Sequence, residues 1–386
     1  MFKKVILGVS GGVDSAVSAY LLKMRGFQVQ GIFLKNWDEI DETGKCSGEA
    51  DFADAEYVCD FLGIPLQRLN FEKHYWNQVF EDFLKDYHDG LTPNPDILCN
   101  KNIKFNLFFN HAMKKYKGDA FATGHYARSS FGSFLEKFDP DKNVKLLQAV
   151  DKFKDQTFFL SQIKQEALRY TMFPVGELNK IEVKEIAARL GWDRILEKRE
   201  SVGVCFIGRR NFQEFISDYI DDAPGDFIDF DTGQKVGTHR GIHTWTIGQR
   251  CHIGGYKKPY FVHSKDKSTK RIYVVSGTDH AGLFSDTILT QEPAWINVPE
   301  FKRNIFECKF RFQHTKPLTG CLIYRLPNEK LLVQLKKPLR AITPGQYAVF
   351  YTDDECLGSA RIQKPILNYG TSISNENIEL KENSNS

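Results

Sequence analysis

Residues 8–15 read Gly-Val-Ser-Gly-Gly-Val-Asp-Ser, and the residues around them indicate a strand, a loop and a helix in succession. The apolar run at 4–9 is typical of a buried parallel strand. Residues 16–25 have helical character, and Gly26 is suited to the helix end. Glycines allow backbone amides to face an anion closely, and a helix N-terminus contributes about half a positive charge. The segment therefore predicts a phosphate-binding loop.

This loop differs from nucleotide-binding loops that end in Gly-Lys-Ser/Thr, because no such lysine follows Ser15. A loop without the lysine suits the pyrophosphate end of ATP, with attack at the α-phosphate, which is the pattern of PP-loop enzymes. Ser10 and Ser15 can donate hydroxyl groups. Asp14 either holds Mg²⁺ against the phosphates or caps the helix. The alternative interpretation is an ordinary Gly/Ser turn after a strand.

Apolar runs alternate with helical patterns through the N-terminal half of the chain. Further strands are predicted at 29–34, 65–69 and 119–122, and helices at 53–62, 76–87, 97–116 and 182–190. Such alternation is typical of an α/β fold with a doubly wound, Rossmann-like parallel sheet, which binds ligands at the carboxyl ends of its strands. After about residue 210 helical periodicity fades. Five short β-type runs between 306 and 362 then predict a small C-terminal antiparallel β-barrel.

These changes in pattern predict four regions. They are a PP-loop catalytic domain over 1–205, a small central domain over 206–283, the barrel over 284–368 and a disordered tail over 369–386. Net charge is only +3 over 386 residues, so bulk charge does not indicate a nucleic-acid partner. No apolar run approaches the ~20 residues of a membrane span. No secretory signal is visible, and a reducing interior, where disulfides are catalytic or absent, is expected.

Two of the eight cysteines stand in settings that favour a thiolate. In the segment 92–101, two prolines lead into a helix, and Asp96 is the predicted N-cap, which places Cys99 in the first turn. Cys205 lies in the segment 200–208, with Lys and Arg residues on both sides. For each cysteine the alternative is an ordinary packing role. No C-x-x-C pair is present, which argues against a zinc ribbon.

Ten motifs along the chain resemble those of the tRNA-specific 2-thiouridylases. They are SGGVDS at 10–15, KNW at 35–37, TPNPDILCNKNIKF at 92–105, ATGHYAR at 122–128, KDQTFFLS at 154–161, FPVGEL at 173–178, GVCFIG at 203–208, IGQR at 247–250, TPGQYAVFY at 343–351 and CLGS at 356–359. The segments KNWDEIDETGKC and QRCHIGGYKKPYFV look closer to the eukaryotic mitochondrial branch than to the bacterial one. Glu200 and Leu34 are mild departures, since Asp and Met are more usual there in bacterial relatives.

The resemblance implies a specific reaction and a specific set of residues. The family adenylates the C2 oxygen of the wobble uridine of tRNA and replaces that oxygen with sulfur. By likeness, Cys205 would carry a persulfide and Cys99 would free the sulfur or resolve the resulting bond. Asn94, Pro95 and Asp96 would meet the target base. The ATP site would comprise Gly8, Val9, Ser10, Gly11, Gly12, Val13, Asp14, Ser15, Leu34 and Gly124. Contacts to tRNA would come from His125, Lys154, Asp155, Gln156, Arg311, Phe312 and Gln346.

The same resemblance implies the partners and the compartment. ATP and Mg²⁺ would be needed, with sulfur from a donor protein such as a cysteine desulfurase or a relay protein. The RNA partner would be the tRNA anticodon stem-loop, and a monomer in the mitochondrion is expected. A cytoplasmic location is the alternative, because no Arg- and Ser-rich presequence is visible. Two other functions stay open: a PP-loop synthetase that adds nitrogen, and a non-catalytic tRNA-binding protein that has kept a nucleotide pocket.

Overall fold

A five-stranded parallel sheet forms the centre of the N-terminal half, in a computed structural model that describes residues 2–37, 47–198, 206 and 211–366. The predictions made for Cys205 and for a disordered tail therefore lie outside the described residues. The strand order is β3-β2-β1-β4-β7, and every pairing is parallel. The strands are β1 (Lys4–Val9), β2 (Gln28–Lys35), β3 (Leu66–Asn70), β4 (Ala120–Ala122) and β7 (Thr171–Met172).

The predicted strands of this sheet are confirmed, because their apolar runs are buried. Val5, Ile6 and Leu7 of β1 have no exposed surface. The chain passes from β1 to β2 and β3 on one side and then returns to β4 on the other side of β1. This reversal puts the switch point of the sheet between β1 and β4, where ligands bind in open α/β sheets. The α/β fold expected from the sequence is thus confirmed.

Helices cover the sheet close to where they were predicted. They are α1 (Val13–Met24), α2 (Ser47–Leu62), α3 (the contiguous pieces Glu72–Tyr75, Trp76–Phe80 and Glu81–His88), α4 (Pro95–Leu98, Cys99–Phe108 and His111–Lys115), α5 (Gln165–Leu168), α6 (Lys180–Arg189), α7 (Asp193–Leu196) and α8 (Phe212–Ser217). Asn179 caps α6 in a capping box with Glu182, and Gly191 follows that helix at φ +71°, as glycine permits. Among the described residues, no helix is both long and apolar enough to cross a membrane.

The start of α4 differs from the prediction. Asn94, not Asp96, is the N-cap, because its Oδ1 accepts a hydrogen bond from the Ile97 amide at 3.2 Å. Pro95 and Asp96 occupy the first two helical positions, where proline costs no hydrogen bond. Cys99 therefore lies in the second turn, at the point where the helix changes to π-type hydrogen bonding.

The central region carries its own small sheet, of order β10-β11-β8-β9. Its strands are β8 (Gly225–Asp229), β9 (Lys235–His239), β10 (Tyr260–Asp266) and β11 (Arg271–Ser276). Strands β10 and β11 form a hairpin that contains most of the basic segment 257–271. Tyr260, Val262, Ile272 and Val274 pack in the core of this region. The hairpin therefore keeps one face apolar. Lys267, Lys270 and Arg271 are exposed, whereas Lys265 turns inward and its Nζ donates to Trp245 O at 2.8 Å.

The C-terminal region is a closed antiparallel barrel of six strands, one more than predicted. They are β12 (Phe284–Trp295), β13 (Ile305–Arg311), β14 (Thr319–Arg325), β15 (Leu331–Arg340), β16 (Tyr347–Thr352) and β17 (Glu355–Ile366). The pairing of β12 with β17 closes the ring. Sequence periodicity missed β12 because its register shifts around Thr290–Pro293 interrupt the alternation. The short strands β5 (Ala127–Ser129) and β6 (Leu146–Gln148) extend the barrel sheet from the catalytic region.

Candidate active site

The loop after β1 has the backbone geometry that an anion requires. Gly12 occupies the N-cap of α1 with φ −95° and ψ 160°, and it has no side chain to accept from the first-turn amides. Gly11 has φ +74°, a region that favours glycine. Ser15 Oγ accepts from the Ser10 amide at 3.1 Å and donates to Gly12 O at 2.9 Å. The Ser15 hydroxyl thus stabilises the loop itself, and the helix amides are left to bind a phosphate.

Gly124, which follows β4, contacts this loop directly. A Cβ atom on Gly124 would lie 2.7 Å from Ser15 N and 2.9 Å from the Asp14 carbonyl carbon. The close contact brings the ends of β1 and β4 together at the switch point of the sheet. Leu34, near the end of β2, is half-buried at the same sheet edge and packs on the core. All the residues expected at the ATP site therefore belong to this edge.

Replacing Gly124 by alanine should displace the loop, because the new methyl group overlaps backbone atoms that cannot rotate away. For the reaction that the resemblance implies, we expect tRNA-dependent AMP formation to fall roughly 10²-fold, as for small misplacements of reacting groups. Thermal unfolding should register a loss of about 1–3 kcal/mol. Gly254→Ala is the matched control, since a Cβ there meets no atom within 4 Å. Wild-type AMP formation by Gly124→Ala would show that the close contact is unimportant.

Asp14 does not cap α1, and its carboxylate is paired with a lysine. Both of its carboxylate oxygens accept from Lys180 Nζ, at 2.7 and 2.8 Å, and Oδ1 also accepts from Tyr126 Oη at 2.8 Å. Asp14 is the second residue of α1, and Gly12 holds the cap position. The prediction that Asp14 holds Mg²⁺ is not supported, because its carboxylate already binds a cation. No cluster of three or more His, Cys, Asp or Glu residues in the described ranges could hold a metal ion.

Helix α4 brings Cys99 to the same edge of the sheet. A Cβ atom added to Gly8, near the end of β1, would lie 3.1 Å from the ring of Phe108 on α4. Further contacts join α4 to the residue after Gly124: Lys104 Nζ lies 3.5 Å from His125 Nε2, and the Phe105 ring packs 5.7 Å from the His125 ring. Cys99 itself is buried, with 5% of its surface exposed. The helix that carries the thiol therefore lies across the end of the phosphate loop.

Charges along α4 are altered by burial. Burial raises the pKa of Asp96 above its usual range, although Lys104 acts in the opposite direction. Burial and then Lys164 lower the pKa of Lys101. Burial, with a smaller effect of Lys104, holds the pKa of His125 well below its usual value. His125 is therefore neutral near pH 7, with Nδ1 2.9 Å from Thr123 Oγ1.

The second expected thiol, Cys205, lies outside the described residues, but its neighbour Phe206 is described. Phe206 has no exposed surface and packs within 5.5 Å, between ring centroids, of Trp37 from the KNW motif. It also contacts Phe80 and Phe83 of α3 at 5.0 and 4.8 Å. An aromatic cluster on α3 thus holds the position that follows Cys205 in the chain.

The barrel binds the segment expected to meet the target base. Gln346 Nε2 donates to Thr92 O and to Pro93 O, both at 2.9 Å. Gln346 Oε1 accepts from Asn94 Nδ2 at 3.2 Å, and the Thr92 amide donates to Pro344 O at 3.0 Å. Arg361 completes the junction through an ion pair with Asp86 of α3. Gln346, expected at the tRNA surface, is therefore placed where it positions residues 92–94.

For the reaction that the resemblance implies, we expect Gln346→Ala to lower the rate of 2-thiouridine formation at saturating tRNA about tenfold, because three hydrogen bonds that order residues 92–94 are lost. Replacement of a residue that only contacted tRNA would raise KM and leave kcat unchanged. Single-turnover rates over a range of tRNA concentrations therefore separate the two roles. Gln334→Ala is the control, since Gln334 lies on the outside of the same barrel and pairs with Tyr324 at 3.4 Å. An unchanged kcat in Gln346→Ala would contradict the positioning role.

Three more residues expected at the tRNA surface are buried in the junction between the catalytic region and the barrel. Asp155, Arg311 and Phe312 expose 0%, 6% and 4% of their surfaces. Arg311 Nη2 lies 2.6 Å from Asp155 Oδ2. Gln156 Oε1 accepts from the Tyr126 amide at 2.9 Å, which fixes the backbone after Gly124. Direct tRNA contact by the Asp155, Arg311 and Phe312 side chains is not retained, because the junction encloses them. Lys154 is half-buried beside them.

Sequence reasoning missed a group of ion pairs that lie beside the phosphate loop. Lys198 Nζ binds Asp51 and Asp54 of α2 at 2.5 and 2.8 Å, and it donates to Gly11 O at 3.3 Å. Lys180 binds Asp14 across 166 residues. No periodicity or spacing identifies such pairs, because their partners come from distant parts of the chain.

Comparison with known proteins adds to this geometry. Three family profiles match in order: "tRNA methyl transferase HUP domain" over residues 3–209, "tRNA methyl transferase PRC-barrel domain" over 213–276 and "Aminomethyltransferase beta-barrel domain" over 285–362. The first profile alone spans more than half of the chain. The match therefore extends over the catalytic, central and barrel regions.

Full-length relatives are similar across nearly the whole chain. The Drosophila melanogaster protein "Mitochondrial tRNA-specific 2-thiouridylase 1" is 52% identical, over 94% of this chain and 94% of that protein. Its Homo sapiens counterpart is 45% identical, over 93% and 90%. The Staphylococcus aureus protein "tRNA-specific 2-thiouridylase MnmA" is 44% identical, over 95% and 97%. On this similarity, the chain belongs to the family of tRNA-specific 2-thiouridylases.

Proposed function

We propose that this protein is an ATP-dependent tRNA sulfurtransferase that makes 2-thiouridine at the wobble position. The observation that supports the proposal is the contact of α4, the helix that bears Cys99, with Gly8 and His125 at the carboxyl edge of the parallel sheet. Phe108 meets Gly8, and Lys104 meets His125 next to Gly124. An enzyme that only formed amides would need ATP but no thiol at this edge.

The loop fits the pyrophosphate end of ATP. Its first-turn amides and the α1 dipole face the same side as Gly124, and Lys180 neutralises Asp14 nearby. Binding there leaves the α-phosphate open to attack by the uridine C2 oxygen. Pyrophosphate then leaves, and the oxygen becomes part of an AMP leaving group. Mg²⁺ would enter with the phosphates, since the described residues do not form a protein-held metal site.

Sulfur exchange then needs two thiols, and we assign these to Cys99 and Cys205. In one order, the terminal sulfur of a Cys205 persulfide attacks C2, AMP leaves, and Cys99 attacks the Cys205 sulfur to release 2-thiouridine. In the other order, Cys99 attacks the persulfide first and frees hydrosulfide, which then displaces AMP. Both orders end with a Cys99–Cys205 disulfide that an external dithiol must reduce. Both orders require the same residues, Cys99 and Cys205.

Asn94, Pro95 and Asp96 are the residues we assign to the target base. The base must leave its stack to reach them, and this costs least in the single-stranded anticodon loop. The half-buried carboxyl group of Asp96, whose pKa burial raises, can donate a hydrogen bond when protonated.

We further propose that the protein acts as a monomer in the mitochondrion, with sulfur from a cysteine desulfurase or relay protein. We also propose that its domains are 1–205, 206–283 and 284–368.

The proposal is tested by mass analysis of wobble uridines in tRNA from cells that lack the protein. We expect 2-thiouridine to disappear from the substrate tRNAs and to return when the gene is restored. The purified protein, given ATP, tRNA and a sulfur donor, should release AMP in step with thiolation. Unchanged 2-thiouridine in the deficient cells would overturn the proposal. Release of AMP without any thiolation would favour the nitrogen-adding synthetase instead.

A further inference from the structure

Phe153 has an exposure that packing does not explain. Its side chain is 95% exposed, more than any other large apolar residue in the described part of the chain. The residues that follow it turn inward at once, since Asp155 and Thr157 have no exposed surface. A single exposed ring is common on protein surfaces, so the turn and the charges around Phe153 determine what it can bind.

The turn that carries Phe153 is held in place. Asp151 Oδ1 accepts from the amides of Phe153 and Lys154, at 3.0 and 3.1 Å. Asp151 Oδ2 accepts from the Lys180 amide at 3.0 Å. Lys180 in turn binds Asp14 in the phosphate loop. The Phe153 ring therefore lies on a fixed turn, which Asp151 and Lys180 link to the phosphate loop. Because the turn is already ordered, binding through the ring costs little backbone entropy.

Charges around Phe153 select the kind of partner. Lysines stand on both sides of it, at 152 and 154, and Lys152 Nζ reaches Asp354 of the barrel at 3.0 Å. Interfaces between proteins are depleted in lysine, whereas single-stranded nucleic acids bind where aromatic rings alternate with cations. Every base offers a face for stacking, and Lys152 and Lys154 bring positive charge to both sides of the ring. The surroundings of Phe153 thus favour RNA.

We propose that Phe153 stacks on an unpaired base of the RNA substrate. The assignment deepens the proposed function and rests on it only for the identity of the RNA. Phe153 adds affinity and takes no part in the bond changes. Its removal therefore weakens binding and leaves the reaction of bound RNA intact.

The test is equilibrium binding of a fluorescein-labelled anticodon stem-loop RNA with an unmodified wobble uridine, followed by anisotropy. Phe153→Ala should raise Kd about tenfold, the usual loss for one stacked base. Phe153→Trp should keep wild-type affinity, and its added indole fluorescence should be quenched by the RNA. Phe61→Ala is the matched control, because Phe61 is also exposed, at 54%, on helix α2.

Salt dependence separates stacking from charge. The slope of log Kd against log salt should be the same in Phe153→Ala and wild type, whereas Lys154→Ala should lower the slope by nearly one unit. With excess tRNA, kcat of Phe153→Ala should match wild type. These binding measurements need no turnover, so failure of the thiouridylase assignment would leave them interpretable.

Two results would overturn the inference. One is unchanged RNA affinity in Phe153→Ala together with unquenched fluorescence in Phe153→Trp. The other is a defect only when sulfur comes from a donor protein, with normal RNA binding and normal turnover on inorganic sulfide. That second result would assign Phe153 to the surface that contacts the sulfur donor.

Discussion

Replacing Cys99 by serine should lower 2-thiouridine formation about 10³-fold or more, while tRNA-dependent exchange of pyrophosphate into ATP persists. Serine fills nearly the same volume in the second turn of α4, so the contacts of Lys104 and Phe108 at the loop remain. Its hydroxyl cannot accept or release sulfur at neutral pH. The variant should therefore separate the two halves of the reaction. Mass analysis of the product nucleoside and a pyrophosphate exchange assay report the two halves independently.

Cys251→Ser is the control for this substitution. Cys251 is as buried as Cys99, each at 5% exposure, but it lies in the core of the central region, and burial raises the pKa of its thiol to about 12. A thiol of this kind is inert, so its replacement should cost stability and leave thiolation per folded molecule unchanged. Loss of pyrophosphate exchange in Cys99→Ser would mean that Cys99 acts before sulfur transfer. Undiminished thiolation in Cys99→Ser would show that Cys99 takes no part in sulfur transfer.

Removal of the Asp155 carboxylate should destabilise the folded protein by about 3–5 kcal/mol, the largest stability effect we expect from one substitution. Asp155→Ala leaves Arg311 buried without its anion, and the same carboxylate accepts from Thr157, Gln148 and the Ala149 amide. The ion pair with Arg311 joins the catalytic region to the barrel, and the other bonds hold the Asp155 carboxylate in place. Urea unfolding of the purified variant, followed by intrinsic fluorescence, measures the loss.

The reason for this loss can be checked with a second substitution. In Asp155→Ala/Arg311→Met, no unpaired charge is left in the junction, so much of the lost stability should return. Lys152→Ala serves as the comparison, because it removes an ion pair whose two partners are both about half exposed. Its unfolding midpoint should stay close to that of wild type. An equal loss in the single and the double variant would show that the packing of Arg311, and not its charge, holds the junction.

Local pattern in the sequence was enough to predict the parallel sheet and the phosphate loop. The apolar run of β1, the glycines at 11 and 12 and the capping box at Asn179 all act within a few residues, so their effects can be read in sequence order. The barrel was predicted for the same reason, from alternating residues such as Cys308 and Phe310, both buried. Strand β12 was missed where its register shifts.

Features that depend on distant partners could not be predicted in this way. Asp14 looked like a possible metal ligand until Lys180, far along the chain, proved to bind it. Asp155 and Arg311 are charged residues of a type that usually lies on the surface, and only the closed junction explains their burial. Asn94 and Asp96 are both of residue types that cap helices well, and each follows a proline. The sequence therefore does not decide between them, and the geometry of the turn makes Asn94 the N-cap.

The hydrogen bonds of Gln346 to Thr92 and Pro93 span more than 250 residues, and this has a consequence during synthesis of the chain. The residues of the loop itself have been synthesised once the first 15 residues are made. Residues 92–94 gain these hydrogen bonds only after β16 has been translated and the barrel has closed. A chain truncated before β16 would thus contain the loop sequence but would lack the bonds that order the segment we assign to the target base.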